Sequence, residues 1–425
     1  MSAPTAPPAA PPPSDPSDPT AAAVVDPRLI ESKPGIGGIF QDLGRRLAQG
    51  DLGNLPVLFG LLVVVAYFQW QNDKFLSASN LTNLTLQIAA VATISVGVVL
   101  VLLLGEIDLS VGALSGFAAS VMAVLNTRHD QGAFVAIGSA LLVGAAVGAI
   151  NGFWVTKFRV PAFLVTLAGL LVWQGALLRT LGDSGSINIT DPGIVDVANT
   201  FFADTVTWTV AWVTIAALVL SRFVGRRRRV KAELPVEPLW RSVVWVTLLS
   251  VFILGAAMVF DADRGLPLAV CICVGIVIVI DLMLRRTRFG RHVFAVGGNM
   301  EAARRAGIRV DGVRFFVFVL ASTLAAMGGV LAASRSLSVS QGSGGNDVLL
   351  YAIAGAVIGG TSLFGGRGSA WSALLGALVI GSIINGMTLL SIDSDMRFIV
   401  TGIVLLAAAT VDAVSRRGRA SAGRA

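Results

Sequence analysis

The chain has 425 residues, of which 55% are hydrophobic and 13% charged, with a mean hydropathy of +0.78. That balance excludes an ordinary water-soluble protein and reads as an all-α polytopic membrane protein whose main solvent is lipid. A net charge of +7 would suit a nucleic-acid binder, but the arginines sit in short segments between apolar runs, so no nucleic-acid partner is expected.

Residues 1–40 are rich in Pro and Ala and read as a disordered cytoplasmic tail, with no basic start and apolar core of a signal peptide. The membrane domain is expected over 41–415, opening with Arg45 and Arg46, and 416–425 read as a basic cytoplasmic tail. About twelve apolar runs approach the ~20 residues that cross a bilayer. They lie near 55–71, 84–104, 108–126, 133–154, 161–180, 206–224, 242–260, 266–284, 315–334, 348–364, 369–390 and 396–414. The third and tenth are rich in glycine and serine and are expected to be broken or partly re-entrant.

Loop charge tests this count. With both termini in the cytoplasm, the inner loops hold Lys157 and Arg159, then Arg226 to Arg229 with Lys231, then the segment 285–314. The outer loops hold Asp73, Asp130, Asp183, Asp191, Asp196, Asp204, Asp261, Asp263, Asp347, Asp393 and Asp395. An odd number of spans would put a basic cluster on the wrong side.

Within the spans, Gly138, Gly144, Gly148 and Gly152 form a stripe on which another helix can pack closely, and Gly355, Gly359 and Gly360 read the same way. A weak internal echo pairs residues 105–112 with 359–366, each with Gly, Leu and Gly at the same spacing before a small-residue run. Two pseudo-repeated halves with interrupted helices at matching places are a pointer to a transport pathway.

Soluble-enzyme motifs are absent from the sequence. No Gly-Lys dipeptide occurs, so the chain has no phosphate-binding loop of its own. His129 and His292 fall in loops on opposite sides, Cys271 and Cys273 point to different helix faces, and no metal site is expected. Glu106 and Asp108 are costly carboxylates beside apolar spans. Asp108 with Ser110 is expected to cap the third helix, while Glu106 is open between packing and gating. So few ionisable groups at depth argue against proton coupling.

The segment 285–314 is the longest basic interruption. Asn299 suits an N-cap, Met300 to Ala306 a short helix, and Gly307 its stop. Two turns of helix are marginal alone in water, so this one must dock on lipid headgroups or on a partner protein.

The run GRHVFAVGGNMEAARRAGIRVDGVR (290–314) resembles the cytoplasmic loop of the monosaccharide permeases of bacterial ABC importers, the ribose/xylose/galactose group. GEIDLSVGALSG (105–116), VPAFLVTLAGLLVWQGALL (160–178) and VIGGTSLFGGRGS (357–369) resemble the same family in order, so the likeness runs from about 55 to 414. The extra pair of spans around Arg226–Arg229, DRGLPLAV (263–270), and Glu106 in place of a commoner glycine look most like the D-xylose permease type. The Pro-rich tail is outside the family pattern, and Tyr351 stands where that pattern suggests an acidic residue, so no role for such an acid carries over.

The resemblance implies a permease subunit, not an enzyme, in a bacterial cytoplasmic membrane. Its implied partners are a second permease copy, membrane lipid, a periplasmic-type sugar-binding protein and a separate ATPase. ATP and Mg would be used by that ATPase, with no cofactor on this chain. The resemblance assigns ATPase coupling to Gly290, Gly297, Gly298, Asn299, Glu301, Ala302, Ala303, Gly307 and Ile308. A translocation pathway or gate for the monosaccharide, D-xylose or a related aldose, is expected at Glu106, Asp108, Ser110, Gly112, Gly359, Gly360, Thr361 and Ser362. An ion-coupled secondary sugar transporter is the rival reading.

Overall fold

The computed structural model describes residues 55–421 except Pro235 and Glu237; the expected tail 1–40 and residues 422–425 lie outside the described residues. Each expected apolar run carries a helix. They are α1 (Leu55–Gln71), α2 (Ala78–Leu103), α3 (Val111–Thr127), α4 (Ala133–Lys157), α5 (Ala162–Leu181), α7 (Asp204–Lys231), α8 (Leu239–Asp261) and α9 (Leu268–Arg286). After them come α12 (Val310–Ser336), α13 (Asn346–Ile358), α14 (Ala370–Leu389) and α15 (Ser394–Ser421). Among the described residues eight helices are long and apolar enough to cross a membrane, while α1, α3 and α13 are shorter apolar helices.

The interior is organised on α2, where every residue from Ala92 to Leu103 is buried. A helix apolar on all sides belongs at the centre of a bundle. Beside it, α12 packs so tightly that a Cβ at Gly97 would run into the Ala321 carbonyl. The glycine stripe of α4 does what its spacing suggests. Gly144, Gly148 and Gly152 abut Ser322–Ala326, Phe318 and Phe315 of α12, whereas Gly138 faces open space.

Hydropathy did not foresee the structured connections at one end of the bundle. There β1 (Ser186–Asn188) pairs antiparallel with β4 (Ser338–Ser340), and β2 (Phe201–Phe202) with β3 (Leu266–Pro267). Between β1 and β2 lies α6 (Pro192–Asn199), whose N-cap Asp191 accepts from Gly193 N at 2.8 Å and also from Asn126 Nδ2 at 2.6 Å. Ser334 Oγ ties this helix to α12 by accepting from Ala198 N at 2.8 Å and donating to Val195 O at 3.0 Å.

The opposite end is rich in arginine, and it holds a second structure the sequence reading missed. Ahead of the expected short helix stands α10 (Arg288–Gly298), and α11 (Met300–Arg305) follows it. Thr287 starts α10 by accepting from Gly290 N at 3.1 Å. Gly290, Val293 and Val296 form its buried stripe. The signal was present as Phe289, Val293 and Val296 at i, i+4 and i+7, but three glycines in eleven residues hid it.

Candidate functional site

The arginine-rich end brings together three segments distant in sequence. Gly297, at the close of α10, lies against the Leu103 carbonyl and Gly366 N, and a Cβ there would overlap both. Gly366 N itself donates to Leu103 O at 2.9 Å. Gly365 (φ +87°) abuts Gly297 O and Gly105, and Gly105 (φ +76°) abuts the Phe364 carbonyl. Glycine is needed here twice over, for left-handed backbone and for backbone-to-backbone approach. The two echoing stretches, 105–112 and 359–366, therefore meet, and the basic segment is seated on their junction.

α11 is defined at both ends. Asn299 Oδ1 accepts from Ala302 N at 2.9 Å. At the far end Gly307 N donates to Arg304 O and Ile308 N to Ala303 O, the paired bonds of a Schellman stop with Gly307 at φ +82°. Ala303 points into the core, while Glu301, Ala302, Arg304 and Arg305 are exposed, Glu301 pairing with Arg304 at 2.9 Å. Of the expected coupling residues, Gly290, Gly297 and Ala303 thus hold the segment to the bundle. Gly298, Asn299, Glu301, Ala302 and Gly307 face outward, and Ile308 is half-buried.

Just beyond α11, Arg314 Nε donates to Glu106 Oε1 at 2.5 Å. Sequence reasoning named Glu106 but not its partner, because nothing local links residues 208 apart. Burial pushes the Glu106 carboxyl above its ordinary range and Arg314 draws it part of the way back. Asp108 corrects an expectation. Its Oδ1 accepts from Ser110 N at 2.8 Å and Ser110 Oγ at 2.6 Å, so it satisfies the N-cap residue rather than the first turn of α3. Ser110 makes no side-chain cap bond and instead accepts from Asn151 Nδ2 at 3.2 Å. Asp108 Oδ2 and Glu106 Oε2 are buried without a hydrogen-bond partner.

Both helices expected to be interrupted are short. At 1.5 Å per residue, α3 reaches about 26 Å and α13 about 20 Å, against a bilayer core of ~30 Å. Irregular chain precedes each: Asp108 and Ser110 are buried ahead of α3, while Ser343, Gly344 and Gly345 ahead of α13 are half-buried. Gly112 and Gly116, in the first turns of α3, lie against the backbone of Ser343, Gly344 and Gly345, which leads into α13. The N-termini of α3 and α13 therefore approach one another, with Asp108 and Ser110 just ahead of the first. Irregular backbone within a membrane bundle is tolerated where protein or a cavity surrounds it.

The remaining expected gate residues form the turn after α13. Gly359 packs on the Ser372 carbonyl, Gly360 takes φ +98°, and Thr361 Oγ1 is buried without a partner. Ser362 N donates to Arg367 O at 2.9 Å, and its hydroxyl accepts from Phe364 N at 3.2 Å. Among the described residues no group of three or more His, Cys, Asp or Glu could hold a metal ion.

Comparison with known proteins points to one family. A family profile described as "Branched-chain amino acid transport system / permease component" matches residues 80–409. The xylose transport system permease protein of Escherichia coli K12 is 33% identical over 85% of this chain and 92% of its own length. The ribose import permease protein of the same strain is 32% identical over 84% and 92%. The L-arabinose ABC transporter permease protein of Azospirillum brasilense is 27% identical over 90% and 91%. No solved structure matches significantly.

Proposed function

Because the chain belongs to the family of branched-chain amino acid transport system permease components, we propose that it is the membrane subunit of an ATP-driven importer for D-xylose or a closely related aldose. The observation that carries the reading is the seating of the close of α10 on the junction of the two echoing connectors, with α11 following directly. A short helix with its outer face open, joined to a segment seated on both connectors, is built to pass on a push from a partner.

That partner is a separate ATPase, since this sequence has no phosphate loop. ATP and Mg act there. Displacement of α11 reaches the α2–α3 connector through the Gly297–Leu103 contact and the Arg314–Glu106 pair. The connector leads directly to the interrupted start of α3, where the pathway opens and closes. The arginine-rich end faces the bacterial cytoplasm, as the positive-inside rule requires. A sugar-binding protein delivers cargo at the opposite end, and a second copy of the permease completes the pathway.

Vesicles containing the permease, its ATPase and its sugar-binding protein test this with a panel of labelled monosaccharides. ATP-dependent xylose uptake is the expected result. Uptake driven by a proton or sodium gradient without the ATPase would overturn the importer reading. ATP-dependent uptake of ribose or arabinose alone would keep the importer and overturn the xylose assignment.

A further inference from the structure

The hairpin of α7 and α8 is attached to the rest of the protein at one end only. Of the 28 residues of α7 the buried ones are Thr207 and Ala211, and of the 23 in α8 they are Ala257 and Phe260. All four lie within the turns next to β2 and β3. There Thr207 Oγ1 accepts from Leu266 N at 3.1 Å, and Arg264 Nη2 donates to Asn83 Oδ1 at 2.7 Å. The Arg264 guanidinium also lies 4.4 Å over the Phe201 ring. Toward the other end the hairpin exposes Trp212, Leu220, Phe223, Trp245, Leu248 and Phe252.

Length and charge say what surrounds that free end. Twenty-eight residues make a helix of about 42 Å, roughly 12 Å more than a bilayer core. The surplus at the arginine-rich end is Arg226–Arg227–Arg228–Arg229–Val230–Lys231, preceded by Arg222 and followed by the acids Glu233 and Glu237. Successive residues step ~100° around a helix, so four arginines in a row form a collar of charge rather than a stripe aimed at the bundle. Arg227 holds its guanidinium 4.4 Å above the Phe223 ring, at the boundary between apolar and basic surface. Gly225 and Gly255 face open space, so the hairpin's glycines do not seat another helix of this chain.

We propose that this hairpin is a binding site for an anionic phospholipid. Its acyl chains lie along the exposed apolar faces, and its phosphate sits on the side of the collar where Arg227, Arg228 and Lys231 fall within ~100° of one another. The apolar faces are already satisfied by hydrocarbon, and the excess of basic over acidic groups selects a negative headgroup. The inference needs the membrane reading but not the sugar assignment, so each can fail alone.

Native mass spectrometry of the purified full-length protein, given phosphatidylglycerol or phosphatidylcholine with the same acyl chains, tests it. Wild-type protein should retain the anionic lipid at least about fivefold more than the zwitterionic one. R227Q/R228Q/R229Q should lose that preference, while R227K/R228K/R229K keeps it. Equal retention of both lipids by the wild type, or an unchanged preference in the Gln variant, overturns the proposal. If the Gln variant does not insert, the wild type still decides. Its preference should fall as NaCl rises from about 50 to 500 mM, and a salt-independent preference, or a polypeptide held there instead of lipid, overturns it.

Discussion

Arg314 and Glu106 are each other's hydrogen-bonded counter-ion, although 208 residues separate them. The pair ties the second turn of α12, just past the docking helix, to the connector that leads into α3. Glu106 Oε2 has no other partner, so the carboxylate depends on Arg314. Removing one member of a buried pair typically costs about 3–5 kcal/mol, and replacing both costs far less. R314M should therefore lower the thermal stability of the purified protein sharply, and R314M/E106Q should recover most of it. If the double variant is no more stable than R314M, the two residues do not act as a pair. Sugar uptake should remain low in both variants, because the connector is no longer tied to α12.

Gly297 and Gly298 are neighbours with opposite demands. A Cβ at Gly297 would overlap the Leu103 carbonyl and Gly366 N, whereas at Gly298 nothing lies within 4 Å. G297A should unseat α10 from the junction and reduce ATP-dependent uptake at least about tenfold, a change equivalent to 1.4 kcal/mol. G298A should leave uptake within about twofold of wild type, because it fills open space. Comparable losses in both variants would show that the segment's flexibility, and not its seating, is what matters.

Much of this was legible in the sequence. The apolar runs located the helices, with ends off by up to seven residues, as at Lys231 against 224 and Ser421 against 414, because span length and hydropathy are local properties. The Asn299 cap and Gly307 stop were read correctly because capping chemistry is local too. The echo between 105–112 and 359–366 marked two places of interest, but not that they touch. That contact, like the Arg314–Glu106 pair, is a long-range outcome of packing. Thr287 and the Phe289, Val293, Val296 spacing did announce α10, yet its glycines suggested a loop. The glycines serve close approach instead, and a bare sequence does not distinguish the two uses.

Gly307 holds φ +82° at the end of α11 with nothing close to the position a Cβ would take. The cost of substitution there is conformational rather than steric, of the order of 1–2 kcal/mol for an ordinary side chain. G307V should destabilise the Schellman stop, leave membrane insertion intact and weaken the link between ATP hydrolysis and sugar uptake. G307N, whose side chain tolerates the left-handed region, should retain most of the coupling. The ratio of sugar transported to ATP hydrolysed is the measurement. An unchanged ratio in G307V would remove Gly307 from the mechanism, and an equal loss in both variants would point to a role other than backbone geometry.

The two faces of α11 separate docking from packing. Ala302 is exposed and Ala303, one residue on, is turned into the core with 4% of its surface accessible. With a single cysteine at Ala302, a short bifunctional reagent should crosslink the permease to the ATPase in the assembled complex. A cysteine at Ala303 should not react until the segment is displaced, so its labelling should rise when nucleotide is added if α11 moves during the cycle. The paired design matters because a helix lying on lipid headgroups would also leave Ala302 reactive, though only toward membrane-bound probes. Crosslinking of Ala302 to the ATPase, with Ala303 protected at rest, is the outcome required of a helix held on its inner face and pushed on its outer one. Efficient crosslinking from Ala303 at rest would mean that α11 docks by the opposite face, and the transmission route through Gly297 and Arg314 would then fall.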